Sequence, residues 1–335
     1  AQGLGTHGGV INIITNQDSK DYALFRFAEK QQYLSVKSNS KIGNTNVYLL
    51  GTQSLNESLS VKSDNTEKDL SSQQSISIGF NNNSNGNFNG SFTFITAEQD
   101  LDGFYRFVNL SRHLGGLNYS FQSGENVVTD LSWAYSFVDR EYDAANYIYT
   151  GEMNKLNVQN SYALQNNQIF SLGLDFVREL GNMTEGANTI DSDKQFNLGV
   201  YSQFSWINSI LSTQLGARLD RYSGDEEKAI PTYEVSVFRP IPIVGLTAKV
   251  TTKTGYKGAT LYQRIGPFGT ENLEAEKSRT LEYSLSKQFK KMNFVTTYID
   301  SKITNFIGFD NTTVRYNNVD SLRKQKGVEF SANVR

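Results

Sequence analysis

The chain has no cysteine, only four prolines and only two histidines among its 335 residues. Without cysteine there are no disulfides, no thiolate metal sites and no cysteine nucleophile. His7 and His113 alone could supply imidazole, which nearly excludes a zinc site or a histidine-based triad. Charge of one sign is missing too: 32 Lys and Arg stand against 34 Asp and Glu, for a net charge of −2. Such a balance offers no basic field for nucleic acid. Long apolar runs are also absent, and stretches such as 241–246 fall far short of the roughly 20 residues a spanning helix needs. This excludes a helical membrane protein. It leaves a barrel open, since alternate residues of a barrel strand can be polar.

What the chain does have is aromatics, 21 Phe and 18 Tyr, which with so little proline suits strands. At this length all-β barrels can still be one unit. The segment 129–138 sets the pattern. Leu131, Trp133, Tyr135 and Phe137 alternate with Asp130, Ser132, Ala134 and Ser136, so an extended chain has one aromatic face and one small, polar face. The same alternation recurs around Ile76, Ile78 and Phe80, around Leu172 and Leu174, around Leu215 and Leu219, and around Ala248 and Val250. About 16 candidate strands follow between 21 and 334, several of the 9–11 residues that cross a bilayer when tilted.

Alternation alone does not separate a membrane barrel from a soluble sandwich. The connections do. Short polar links at 43–45, 84–87, 123–126, 165–167 and 208–209 carry hairpin residues. Between them fall long links near 57–70, 98–111, 139–153, 179–193, 255–275 and 303–323, with a shorter one at 222–228. Alternating short and long links fit an up-and-down barrel with short turns at one end and long loops at the other. A sheet in hydrocarbon must close on itself, because each unpaired backbone group costs several kcal/mol there. The expected fold is therefore all-β, a transmembrane antiparallel up-and-down β-barrel.

Residues 1–9 hold no charged start followed by an apolar core, so no signal peptide is read there, and 328–334 still alternate at the chain end. The expectation is an internal piece of a longer protein. Gly8-Gly9-Val10-Ile11-Asn12-Ile13-Ile14-Thr15 is apolar on both faces, as a buried strand would be, and lacks the Lys-Ser/Thr of a P-loop.

Three stretches carry a resemblance. Gly5 to Thr15 is similar to the last plug strand of TonB-dependent outer-membrane receptors. Tyr256-Lys257-Gly258-Ala259-Thr260-Leu261-Tyr262-Gln263, with Gly266-Pro267-Phe268-Gly269 and Asn272-Leu273-Glu274-Ala275-Glu276-Lys277-Ser278, resembles a mid-barrel strand, loop and next strand of that family. Asn317-Asn318-Val319-Asp320 and Lys326-Gly327-Val328-Glu329 resemble the motif that follows. The spacing looks most similar to the vitamin B12 receptor branch. The family often has Ala-Pro where Gly258-Ala259 stands and proline where Ala275 stands; the fold is indifferent to both changes.

The resemblance implies a plug end over 1–16 and a partial barrel over 17–335, about 16 strands of a 22-stranded barrel. It also implies uptake of a scarce ligand, cobalamin or a related corrinoid first and a ferric siderophore or haem second. TonB would act through a plug segment outside this sequence, without covalent chemistry or a cofactor. A lipid bilayer with lipopolysaccharide and a monomeric state complete the expectation. A passive porin and an adhesin or phage receptor are the readings from other classes. The plug-like strand argues against the first, and loop tips that are neither repetitive nor strongly apolar argue against the second.

Candidate ligand-binding residues are Tyr105 and Arg106 in one loop and Tyr142, Tyr147 and Tyr149 in the next, since tyrosines offer both apolar and polar edges to a ligand. An interface belt at the headgroup level accounts equally well for the tyrosines nearest the strands. Asp100, Asp102 and Asp143 are the candidate calcium ligands. Their spacing fits no EF-hand, and solvated loops are the preferred account. Lumen-side Arg218, Asp220, Lys249 and Lys253 either guide an anionic ligand such as a ferric siderophore or pair with the plug. Pairing with the plug is preferred, since charges shielded from water tend to be paired.

Overall fold

The computed structural model describes residues 20–59, 68–100, 107–142, 147–165, 167–185, 188–223, 229–266 and 268–334. The strand expected at 8–15, with Gly8, Gly9 and Asn12, and the domain boundary near 16 lie outside these residues. So do Asp102, Tyr105, Arg106 and Asp143.

Sixteen strands form one sheet, each paired with its neighbour in sequence until the last. They begin with β1 (Tyr22–Ala28), β2 (Gln31–Ile42), β3 (Thr45–Leu59), β4 (Lys68–Asn82) and β5 (Asn87–Asp100). Then come β6 (Phe107–Gly124), β7 (Val127–Tyr142), β8 (Tyr147–Leu164), β9 (Gln168–Glu185) and β10 (Asn188–Trp206). β11 (Ser212–Tyr222), β12 (Ile230–Ile241), β13 (Leu246–Lys257), β14 (Glu276–Gln288) and β15 (Met292–Thr304) continue the order. β18 (Arg323–Val334) pairs with β15, while β16 (Phe306–Asp310) and β17 (Arg315–Val319) form a separate hairpin. One short helix, α1 (Leu261–Ile265), lies between β13 and β14.

Every pairing is antiparallel, as an up-and-down meander requires. The tight turns use left-handed backbone where glycine or asparagine tolerates it: Gly43 at φ 60°, Gly245 at φ 61° and Asn167 at φ 58°.

The sheet is greasy outside and wettable inside. Leu219 is 50% exposed, whereas its neighbours Arg218 and Asp220 are 6% and 0% exposed. Ile76 and Ile78 are likewise exposed around a buried Ser77. On the inner face, hydroxyl pairs bridge adjacent strands: Thr52–Ser75 at 2.6 Å, Ser77–Thr93 at 2.9 Å, Ser236–Thr251 at 2.8 Å and Thr280–Ser301 at 2.9 Å. Leu131 is exposed on the outer face, and Trp133 stacks along the same face with Tyr135, ring centroids 6.1 Å apart. No second sheet covers that face among the described residues. A soluble protein would bury this face; a bilayer solvates it.

The long links near 98–111, 139–153 and 179–193 are mostly strand. β6 starts at Phe107, β7 runs to Tyr142, β8 starts at Tyr147, β9 runs to Glu185 and β10 starts at Asn188. The expectation placed these strand ends too low for a physical reason. Outer-face positions there are Asp139, Glu141 and Glu152, in register with one another's neighbours across β7 and β8. They face water rather than lipid, and the apolar alternation that marks a spanning strand stops.

His113 also has a plain place. It lies on the outer face between Phe94 (5.1 Å) and Phe137 (5.4 Å), as one ring in an aromatic row.

Candidate functional site

The inner wall of β8–β13 carries a connected polar cluster. Arg218, on β11, is its centre. Its Nε donates to Asp220 Oδ2 at 2.7 Å and Nη2 to Asp220 Oδ1 at 2.6 Å, a two-pronged contact, while Nη1 donates to Asp175 Oδ2 on β9. The guanidinium also lies over the Tyr201 ring, 5.6 Å from its centroid. Asn157 Nδ2 reaches both Asp175 Oδ1 at 2.7 Å and the Tyr201 hydroxyl at 2.9 Å, and that hydroxyl donates to Gln159 Oε1 at 3.1 Å. Asn197 donates to Asp220 at 2.8 Å and accepts from Tyr256 at 3.0 Å. Alternation builds this cluster. Asp175, Asn197, Arg218 and Asp220 all occupy inner positions, and Gly173 and Gly199 leave room for the Tyr201 ring and the Arg218 head.

Above the cluster the loop 258–275 folds onto the wall. Pairing of β12 with β13 ends at Glu234–Lys253, whereas β13 stays paired with β14 through Lys257–Glu276. Tyr256, 1% exposed, packs with Ile230 and Ala275. α1 starts on a capping box: Gln263 N–H donates to Thr260 Oγ1 at 3.2 Å, and Thr260 N–H donates to Gln263 Oε1 at 3.0 Å. Leu261 of α1 rests against Gly181 on β9, and Arg264 pairs with Asp193 on β10 at 3.0 Å. The hairpin β16–β17 is sewn to the same loop. Asn318 Nδ2 donates to Glu274 O at 2.9 Å, its Oδ1 accepts from Glu274 N–H at 2.8 Å, and Glu276 Oε1 accepts from Ile307 N–H at 2.9 Å.

The motif residues therefore converge. Tyr256, Gln263, Glu276 and Asn318 hold one folded loop and hairpin together, and Lys257 pairs with Glu276 at 3.9 Å. Asn272 is exposed in the loop, and Lys277 opposes Tyr256 on β14. Gly327 and Glu329 lie on β18, opposite Ile299 and Thr297, away from that assembly.

Of the ligand candidates, Tyr142, Tyr147 and Tyr149 come together at the loop ends of β7 and β8. Tyr142 opposes Tyr147, Tyr149 opposes Arg140, and Arg140 Nη1 donates to the Tyr142 hydroxyl at 3.1 Å. Asp100 ends β5, and no cluster of potential metal ligands occurs among the described residues. The lumen cations are paired or stacked within the wall itself: Arg218 as above, Lys253 with Glu282 at 2.7 Å, and Lys249 over Phe238 at 4.9 Å.

The family model described as TonB dependent receptor-like, beta-barrel matches residues 15–335. The chain belongs to this family. As a TonB-dependent receptor barrel it is an outer-membrane protein of a Gram-negative bacterium. A curated relative, the vitamin B12 transporter BtuB of Vibrio cholerae serotype O1, is 27% identical over 212 residues, 60% of this chain and 32% of that protein. The solved siderophore receptor PirA from Pseudomonas aeruginosa aligns with a TM-score of 0.78 at 15% identity, over 98% of this chain and 64% of that one. The copper transporter OprC aligns with a TM-score of 0.76 at 12% identity, over 94% of this chain and 58% of its own. At such identities these structures share the fold. The chain spans about a third of the B12 transporter and about three-fifths of the solved receptors.

Within this receptor barrel, sequence reasoning missed Asp175, Asn157, Asn197 and the Arg264–Asp193 pair. Asp175 had a signal, an acid on the polar side of β9 at the same alternation as Gly173. The others are ordinary amides and charges whose side-chain partners lie 18 or more residues away on other elements, visible only in three dimensions.

Proposed function

We propose that this barrel is the wall of an active transporter that takes up cobalamin or a related corrinoid, energised by TonB through a plug. The observation that carries this reading is the 27% identity over 212 residues to a vitamin B12 transporter. The wall chemistry supports it. Arg218 is consumed by two carboxylates and Lys253 by Glu282, so these cations are not free to attract a strongly anionic ligand. Hydroxyls and amides dominate the inner face, suited to a bulky ligand fringed with amides. Tyr142, Tyr147 and Tyr149 stand at the loop end where a ligand would enter, and Tyr105 and Arg106 are assigned to the same role. Asp100, Asp102 and Asp143 are the carboxylates that Ca²⁺ would need, with solvated loops the preferred account. The receptor works as a monomer and performs no covalent chemistry.

A ferric siderophore is the second reading, favoured by the likeness of fold to PirA. Equilibrium binding of cyanocobalamin to the complete receptor, with and without Ca²⁺, tests the first. Saturable binding is expected, weakened when Tyr147 and Tyr149 are both changed to Ala. Tight ferric-siderophore binding with none of cyanocobalamin reverses the order.

A further inference from the structure

The outer face has a charge pattern of its own. On β14 the outward residues run Arg279, Leu281, Tyr283, Leu285 and Lys287, alternating with inner residues such as the buried Ser278 and Thr280. Eight residues separate Arg279 from Lys287. That is about 27 Å along a strand and, at a tilt near 40°, about 21 Å of height. The apolar band of an outer-membrane barrel is about 25 Å tall. The two cations therefore fall within a few ångströms of the edges of that band, Lys287 near the short turn and Arg279 at the loop end.

At that loop end Arg279 opposes Lys302 on β15, and Lys302 opposes Lys324 on β18. Three cations thus stand side by side on adjacent strands, spaced by about 4.8 Å per strand. Like charges directly opposite one another destabilise a sheet. Among the described residues none of the three has an ion-pair partner, and the carboxylate one row down, Asp300, is taken by Lys326 at 3.3 Å. Next come Tyr283 and Tyr298, ring centroids 6.5 Å apart, then Leu285 and Phe330. Tyrosines at this level mark the membrane interface. On β5, β7 and β8 the outer rim is acidic instead, with Glu98, Asp139, Glu141 and Glu152, and the outer-face cations of β9 to β11, Arg178, Lys194 and Arg221, do not stand directly opposite one another.

We propose that Arg279, Lys302 and Lys324 form a binding site for the phosphates of a glycolipid in the outer leaflet, its acyl chains lying over Leu285, Val328 and Phe330. The anion removes the repulsion built into the row. A lipid-borne phosphate is indicated because the row stands directly above an aromatic step and an apolar wall. This inference rests on the outer-membrane barrel and not on which ligand is transported.

The test uses the complete receptor in detergent, titrated with diphosphoryl lipid A, dephosphorylated lipid A and inorganic phosphate. Diphosphoryl lipid A should bind the parent receptor at least about tenfold tighter than the triple variant Arg279→Gln, Lys302→Gln, Lys324→Gln, as loss of charge-assisted phosphate contacts demands. Removing the phosphates from the lipid should cost as much, and the variant Lys302→Arg, Lys324→Arg should retain binding. Heat-dependent electrophoretic mobility verifies that each variant is folded. Equal lipid affinity in the folded triple-Gln variant overturns the proposal. So does displacement of the lipid by inorganic phosphate at comparable concentration, which would make the row a site for soluble anions.

Discussion

Arg218 shows how a charge is kept inside a wall that faces away from lipid. It is 6% exposed, its two partners Asp175 and Asp220 are 8% and 0% exposed, and Tyr201 covers it. Burying such ions is costly, and the contacts mainly offset that cost. Removing the cation alone leaves two carboxylates with no counter-charge. Arg218→Met should therefore destabilise the barrel by about 3–5 kcal/mol. Removing the charges together, with Arg218→Met, Asp175→Asn and Asp220→Asn, should cost clearly less. Urea unfolding of both variants in lipid measures the difference, and equal loss in the two would show that the cluster acts by packing alone. The alternation around Leu219 made the inward position of Arg218 and Asp220 legible in the sequence. Their preference for each other over a plug was not legible, because Asp175 is 43 residues from Arg218.

At the scale of elements, the hairpin β16–β17 is the clearest case of structure hidden in a stretch expected to be a long loop, 303–323. Its strands are only five residues each, Phe306–Asp310 and Arg315–Val319, too short for length or alternation to mark them. What holds it is local turn chemistry plus contacts with distant loops. Phe309 meets Phe268 at 5.8 Å and Tyr316 at 5.3 Å, edge to face. Asp310 anchors the turn: its Oδ1 accepts from Thr312 N–H at 2.8 Å and its Oδ2 from the Thr313 hydroxyl at 2.9 Å. These bonds, the Thr312 amide foremost, hold the Asp310 carboxyl below the ordinary carboxylate range. A depressed folded-state pKa stabilises the turn fully above the unfolded value, about 3.9, and the contribution is lost as pH falls through the folded value. The turn should therefore stay ordered at neutral pH and loosen only below about pH 4. Asp310→Asn should show no such acid step. Amide exchange at 311–314 as a function of pH reads both outcomes, and an acid step that survives in Asp310→Asn would place the titrating group elsewhere.

The molecule as a whole is legible to the extent that its two solvents are written into alternate residues. Where a strand touches lipid on one side, the alternation is clean, and the sixteen-stranded order follows from it. Where strands rise into water, both faces turn polar and the ends of β6 to β10 disappear into what read as loops. The family resemblance marked 258–275 as a loop between two strands, but its inward fold was not legible, since its anchors are spread over β9, β10 and β17. One substitution separates lipid from water on the outer face. Leu174 is 51% exposed and lies six residues from the short-turn end of β9, about 20 Å along the strand at roughly 3.4 Å per residue. Were that face wet, Leu174→Lys would change stability by only about 0.5 kcal/mol, the usual range for surface substitutions. Facing hydrocarbon near mid-depth, the lysine should cost about 2–4 kcal/mol in the complete receptor. Ser132→Lys, on the wettable face of β7, is the matched control and should stay near zero. Denaturant unfolding from lipid vesicles gives both values. If the two lysines cost the same, the outer face is not in contact with lipid.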